Sequence, residues 1–571
     1  MGEERFVVAA KGFFLIVNIK TGKTIQLQIE NSEYPYVSFA SSGGLFYSGA
    51  GQVFYCLDPF SGNFVFKGEV QDEAAVFAIT EGWNGLIYFV SYPNLMVREF
   101  DPNQHQLRSL ASLNIESGYA GTLASGKDGW MYAGIGTENP FIAAFHPESG
   151  KQTAIGQLTD GIGTGYVRKG NGGRVFAQYK SAALRSFDPS QPWLELGGGK
   201  VLRSIQKPLE GHEYWGEGFH TCHGQVAGKE KLVSFDLTEK KIRLTNQVIP
   251  VSYHTPGAEL STVTAGPDGK LYGTSMHPMR LFRADQNGME LIGSLEQGGG
   301  GNICTYAVLD QDTMFGSAYA GGKLYEFSLN KPFSANENPR LILKADAVHR
   351  PRASAIHPCE KKVVFSGYPG YGKRGGSVGI YDPSRCELSF LPPEQLLPEQ
   401  STVSLAFDAS GNMIGSTSVR TPGGAAELAE SASLYKLNWK AKKLERVTVP
   451  FRYEKEITHI CILGNSGLGM TQSSILFQFD CTSLAAAKVK DCFPFGQPVR
   501  GGCIQQGREV FFLLEDAVVK ADISSAAACY RRMSEKITSG GAIIENNLYF
   551  CSGNTLLSMD LNGGESSWAP Y

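Results

Sequence analysis

Six of the chain's ten histidines, His212, His220, His223, His254, His277 and His349, fall between positions 212 and 349. A neutral imidazole can move a proton near neutral pH or ligate zinc, manganese, iron or nickel. It can equally do no more than hydrogen-bond a loop carbonyl. His254 and His277 sit in connections flanking one repeat unit, so they are expected close together. His220 and His223 have the three-residue spacing of a ligand pair for a divalent metal ion, although on a strand they would point to opposite faces. Around these histidines run Tyr-Pro, Arg and Trp segments: Tyr92-Pro-Asn, Tyr166-Val-Arg168, Trp215, His349-Arg350-Pro-Arg352 and Tyr368-Pro-Gly-Tyr371-Gly-Lys-Arg374. Aromatic rings stack on the C–H face of a sugar, and guanidinium groups pair with carboxylates. The plainer reading of each Tyr-Pro pair is a strand cap.

What must position these residues is a repeat. Apolar strands ending in a turn-forming residue recur at Asn18, Asp58, Asp101, His146, Asp188, Asp236, Asp285, Ser328, Asp382, Asn438, Asp480, Asp522 and Asp560. The intervals between these thirteen marks run from 38 to 56 residues and average about 45, the length of one four-stranded propeller blade. One unit displays the order in full: Ser261–Gly266, a Pro-Asp-Gly turn, Leu271–Ser275, a loop, Met279–Ala284, an Asp-Gln-Asn-Gly turn and Met289–Gly293. The expected fold is an all-β propeller of about 13 four-stranded blades, arranged as two rings of six or seven. The first unit lacks its innermost strand, which chain from elsewhere would supply by strand exchange. The seam is expected at the glycine run Gly298–Gly301, giving an N-terminal propeller over 1–300 and a C-terminal one over 301–571. In a meander, the connection from the second strand to the third and that from the fourth strand to the next blade share a face. The Tyr, His and Arg segments lie in those connections, and a rigid scaffold with variable loops puts its chemistry there.

The 571 residues carry a net charge of −3, which provides no drive toward nucleic acid or an anionic membrane. The 68 glycines fit many tight turns. No apolar run reaches 18 residues, so the expected product is soluble, cytoplasmic as it stands, and secreted or periplasmic if a signal peptide has been removed. The eleven cysteines include no Cys-x-x-Cys pair, and Cys304, Cys461 and Cys503 recur at similar places in different repeats, as reduced core thiols would. No glycine motif follows a strand and opens a helix, against Rossmann and P-loop chemistry.

The blade grammar resembles bacterial propellers without a WD signature, and Ser261-Thr-Val-Thr-Ala-Gly-Pro-Asp-Gly-Lys-Leu-Tyr-Gly-Thr-Ser275 looks like one blade of streptogramin-lyase-type propellers. The mix of His, Tyr and Arg on one face is similar to propeller polysaccharide lyases and propeller rhamnosidases. The architectural resemblance implies a carbohydrate-active protein, foremost a lyase on a uronate-containing oligo- or polysaccharide. In that reading His254, His277 or His349 is the base, Tyr368 or Tyr371 the acid, and Arg350, Arg352 or Arg374 neutralises the carboxylate. Tyr92, Arg168 and Trp215 would add substrate contacts. A glycoside hydrolase is a variant of this reading. The alternative is a non-catalytic tandem platform that holds a protein partner or a glycan with the same loops.

Overall fold

A four-stranded sheet with two apolar faces cannot bury both alone, so a blade persists only where neighbours cover it. A computed structural model describes residues 5–570 apart from 31–32, 72, 114–117, 157–160, 182–191, 207–220, 227–228, 237–239, 245–246, 255–256, 277–278, 294–301, 335–336 and 563–567. The described residues are all-β, a succession of thirteen antiparallel blades. They divide into two compact units, Met1–Thr255 with Gly424–Ala426, and Pro256–Gly423 with Glu427–Tyr571. The division therefore falls at 255 rather than near 300, and the blade 260–293 belongs to the second unit. The reason is ring closure: Ser539 Oγ donates to the Leu260 carbonyl at 2.9 Å, and Leu260 and Val263 share a core with Ala542 and Cys551.

The first unit holds six blades, at 5–28, 35–69, 75–112, 119–155, 162–205 and 221–250. The first of these has three strands, and among the described residues no other segment joins its sheet. The described residues thus show no strand exchange in this sheet. Instead Phe6, Val8, Leu15 and Val17 pack on Ile249 and Val251 of the sixth blade. Thr24 Oγ1 and Gln26 Nε2 donate to the carbonyls of Ser252 and His254 at 2.7 and 2.6 Å.

The second unit holds seven blades, at 260–293, 302–344, 350–391, 401–448, 457–491, 498–532 and 539–560. Apolar layers fill the space between neighbours; Phe315 and Leu324, for example, pack on Val363, Phe365 and Tyr381 of the next blade. Every innermost strand slips register against its neighbour at the same level: between Leu260 and Thr262, Ile303 and Thr305, Pro351 and Ala353, Thr402 and Ser404, Ile457 and His459, Pro498 and Cys503, and Ser539 and Ala542. Such bulges bend a strand and re-aim a side chain. Here they direct Arg352, Val403, Thr458 and Arg500 into a cavity on the ring axis.

Most of the repeat marks are turns closed by their own carboxylate. Asp58, Asp101, Asp285, Asp382, Asp480, Asp522 and Asp560 each accept a backbone N–H from two residues on, at 2.7–3.1 Å. This geometry stabilises a tight turn and favours the charged form. At Asp480 the Ser483 amide and hydroxyl hold the carboxyl below its ordinary range. A depressed carboxylate contributes stability above the ordinary value, near pH 4, and that contribution disappears as pH falls through the folded value. The substitution Asp480→Asn keeps an acceptor at the turn but cannot titrate. Urea midpoints measured from about pH 6 down to about pH 3 should therefore show a wild-type advantage over this variant that shrinks with acid; a constant advantage would contradict the assignment.

Candidate functional site

The loop 369–377 and the connection 345–349 emerge on the face opposite those carboxylate-closed turns, as the meander requires. The connection forms one turn of 3-10 helix, Asp346–Val348, and the loop is fastened to it. The Gly370 amide donates to the Asp346 carbonyl at 3.0 Å, and the Ser377 amide to the Ala347 carbonyl at 3.1 Å. Lys373 Nζ reaches Asp346 Oδ2 at 3.2 Å. The tight return of the loop needs glycine at 375, where φ is +63° and a β-carbon would lie 2.2 Å from the Pro398 carbonyl. The fastened loop holds Tyr371 against His349, with ring centroids 5.4 Å apart, while Tyr319 from the preceding blade meets His349 at 5.6 Å.

The electrostatics of this cluster follow from its contacts. His349 Nδ1 lies 2.9 Å from Asp346 Oδ1. The hydrogen bond from His349, helped by Lys373 against the effect of burial, lowers the Asp346 carboxyl to about 2. An ionised carboxylate only accepts, so Nδ1 donates, and in the neutral ring the lone pair sits on Nε2. That Nε2 is buried and, among the described residues, has no hydrogen-bond partner. The Arg350 guanidinium lies over the rings of both Tyr371 and Tyr319, 4.5 and 5.4 Å from their centroids. The two tyrosine hydroxyls are 3.4 Å apart. Burial, then the Tyr371 hydroxyl, pushes the Tyr319 phenol up to about 12, so it remains protonated at neutral pH. Tyr371 is 42% exposed and forms the solvent side of the cluster. The arrangement offers a fixed imidazole lone pair, phenolic protons and a cation in one place.

The remaining predicted residues divide among several settings. Tyr368 is only 3% exposed; its hydroxyl donates to Glu456 Oε2 at 2.5 Å and accepts from the Ser418 hydroxyl at 2.9 Å. It is therefore a buried bracing residue rather than a group on the loop face beside Tyr371. Arg352, over the Tyr368 ring at 5.0 Å, turns into the axial cavity and away from the role of partner to Arg350. Arg374 is half-buried in the loop. His254 belongs to the first unit, where its amide donates to Gln26 Oε1 and its carbonyl accepts from Gln26 Nε2; the blade 260–293 that His254 was expected to flank with His277 belongs to the second. Tyr92 stacks on Tyr119 at 4.9 Å, and Arg168 lies 4.7 Å from the Trp193 ring centroid, both in the first unit. Trp215, His220 and His277 lie outside the described residues, and His223 is described only as a strand position opposite Ser234. Among the described residues no three His, Cys, Asp or Glu side chains gather as a metal ion would need. Asp346, Glu456 and Arg500 were missed by sequence reasoning, whereas Tyr319 falls in a connection on the predicted loop face. Asp346 had a signal, a carboxylate three residues before a histidine in the same connection.

The contrast between the two tyrosines is measurable. Tyr368→Phe leaves Glu456 without its donor and the Ser418 hydroxyl without its acceptor, and should cost about 1–3 kcal/mol. Tyr371→Phe, on the surface, should stay within about 0.5 kcal/mol of wild type. Urea unfolding of the two variants checks the ordering.

No protein-family model matches the chain, and no curated protein sequence matches it. Among solved structures, the extracellular domain of a one component system from B. thetaiotaomicron is similar at 10% identity and a TM-score of 0.40, over 100% of this chain and 75% of that one. The Cps50 (Swd1) β-propeller domain of Myceliophteria thermophila is similar at 11% identity and a TM-score of 0.40, over 54% of this chain and 99% of that one.

Proposed function

We propose that the second unit is a carbohydrate-active ring that cleaves a uronate-containing oligosaccharide by β-elimination at the Tyr319–His349–Tyr371 cluster. The observation that supports it is the Asp346–His349 pair, which fixes a lone pair on Nε2 beneath two phenols and a guanidinium. In this reading His349 Nε2 takes the proton beside the uronate carboxylate, and the electron pair of that C–H bond forms the new C=C bond. The glycosidic C–O bond breaks, and its oxygen takes the proton of Tyr371, the exposed phenol. The Arg350 charge lies against the faces of both rings and favours negative charge developing at their hydroxyls. Asp346 acts as a positioning residue by holding the tautomer. Proton transfers of this kind contribute typically about 10²–10⁴-fold.

One observation favours the second reading, a binding platform: Nε2 is shielded in the structure, so turnover requires Tyr371 to swing aside. A panel of uronate oligosaccharides separates the two. The lyase reading expects an unsaturated product absorbing in the ultraviolet, with kcat lowered about 10²–10⁴-fold in both Tyr371→Phe and His349→Gln. Calorimetric binding of the same oligosaccharides, without product and weakened by Tyr371→Ala, establishes the platform. Absence of both removes the cluster as a saccharide site.

A further inference from the structure

The axis of the second unit contains a cavity of about 570 Å³, within the range of small-molecule sites. Inner strands of five blades line it, and two arginines enter at the register slips: Arg352 from the third blade and Arg500 from the sixth. Three steps round a ring of seven set them on nearly opposite sides of the axis. Both are half-buried. Arg352 donates to the carbonyl of Pro351 at 3.0 Å and covers the Tyr368 ring. Among the described residues neither guanidinium has an ion-pair partner.

The charges facing this space do not balance. Glu456 supplies one carboxylate, and its Oε2 is engaged by the Tyr368 hydroxyl. His459 gives its Nε2 proton to the Val499 carbonyl at 2.9 Å, and burial lowers its pKa, so it adds no charge at neutral pH. Two guanidinium groups against one carboxylate leave one positive charge over. The like charge of Arg352 is the largest influence on Arg500, with burial next, and both disfavour its cationic form. Holding two such forks across one cavity costs stability unless something between them accepts their hydrogen bonds.

We propose that the axial cavity of the second unit is an anion site, in which Arg352 and Arg500 clamp a small oxyanion ligand, a phosphate or a carboxylate, from opposite sides. Guanidinium forks match the paired oxygens of both groups. This site is separate from the Tyr319–His349–Tyr371 cluster and does not depend on turnover there.

Titration calorimetry of the full chain with inorganic phosphate and, separately, with citrate tests the proposal and tells the two chemistries apart. The expected result is one bound anion per chain for at least one probe, with affinity falling as salt rises. Binding should weaken at least about tenfold in Arg352→Gln and in Arg500→Gln. Thermal melts add a reading that loss of folding cannot imitate. In anion-free, low-salt buffer Arg500→Gln should melt above wild type, because it removes a repulsion, and saturating anion should reverse that order. Arg500→Lys, which keeps the charge without the fork, should fold and bind more weakly than wild type. No binding of either anion, unchanged affinity in both Gln variants, or an Arg500→Gln melt below wild type without anion would overturn the site.

Discussion

Each blade has two apolar faces and only its neighbours to cover them. In the second unit this need is met all the way round because the 260–293 blade packs on the 539–560 blade, sealed by the Ser539–Leu260 hydrogen bond. Closure of that kind makes the inner strands parallel walls of one cavity and fixes which residues meet across it. It also sets the level at which every inner strand slips register. A bulge placed elsewhere would return Arg352 or Arg500 to a packed interface between blades, where a charge has no place.

The loop face depends on a smaller constraint of the same type. Two backbone hydrogen bonds and one ion pair fasten the loop 369–377 to the turn at Asp346–Val348. Asp346 thus has two tasks, since one oxygen holds the Lys373 ammonium and the other the His349 ring. The same carboxylate that orients the imidazole also secures the loop that covers it.

The blades were legible in the sequence because their marks are carboxylates closing turns, and that chemistry needs only residues two or three positions apart. The ring boundary was not. The connection at 255 is one more link from an outer strand to an inner one, whereas the glycine run at 298–301 stands out in composition and separates two blades of the same unit. His349, Arg350 and Tyr371 could be grouped because their loops adjoin in a meander. Arg500 could not, since a lone arginine in Val-Arg-Gly-Gly gains its meaning only when closure brings it to a cavity shared with a blade 150 residues away in sequence. Tyr368 and Tyr371 look alike in sequence, yet the end of a strand buries one and the loop beyond it exposes the other.

A ring of seven has no two blades squarely opposed. Arg352 and Arg500 are as far apart round the second unit as two blades can be, yet the shorter way between them passes two blades and the longer way three. The field between the guanidinium groups is accordingly lopsided, and Glu456, at the start of the fifth blade, stands on the shorter side. The cavity wall is unequal in the same way: it is built by the third to sixth blades with Thr305 of the second, so that a ring of nearly equivalent blades still presents one distinct side to a ligand.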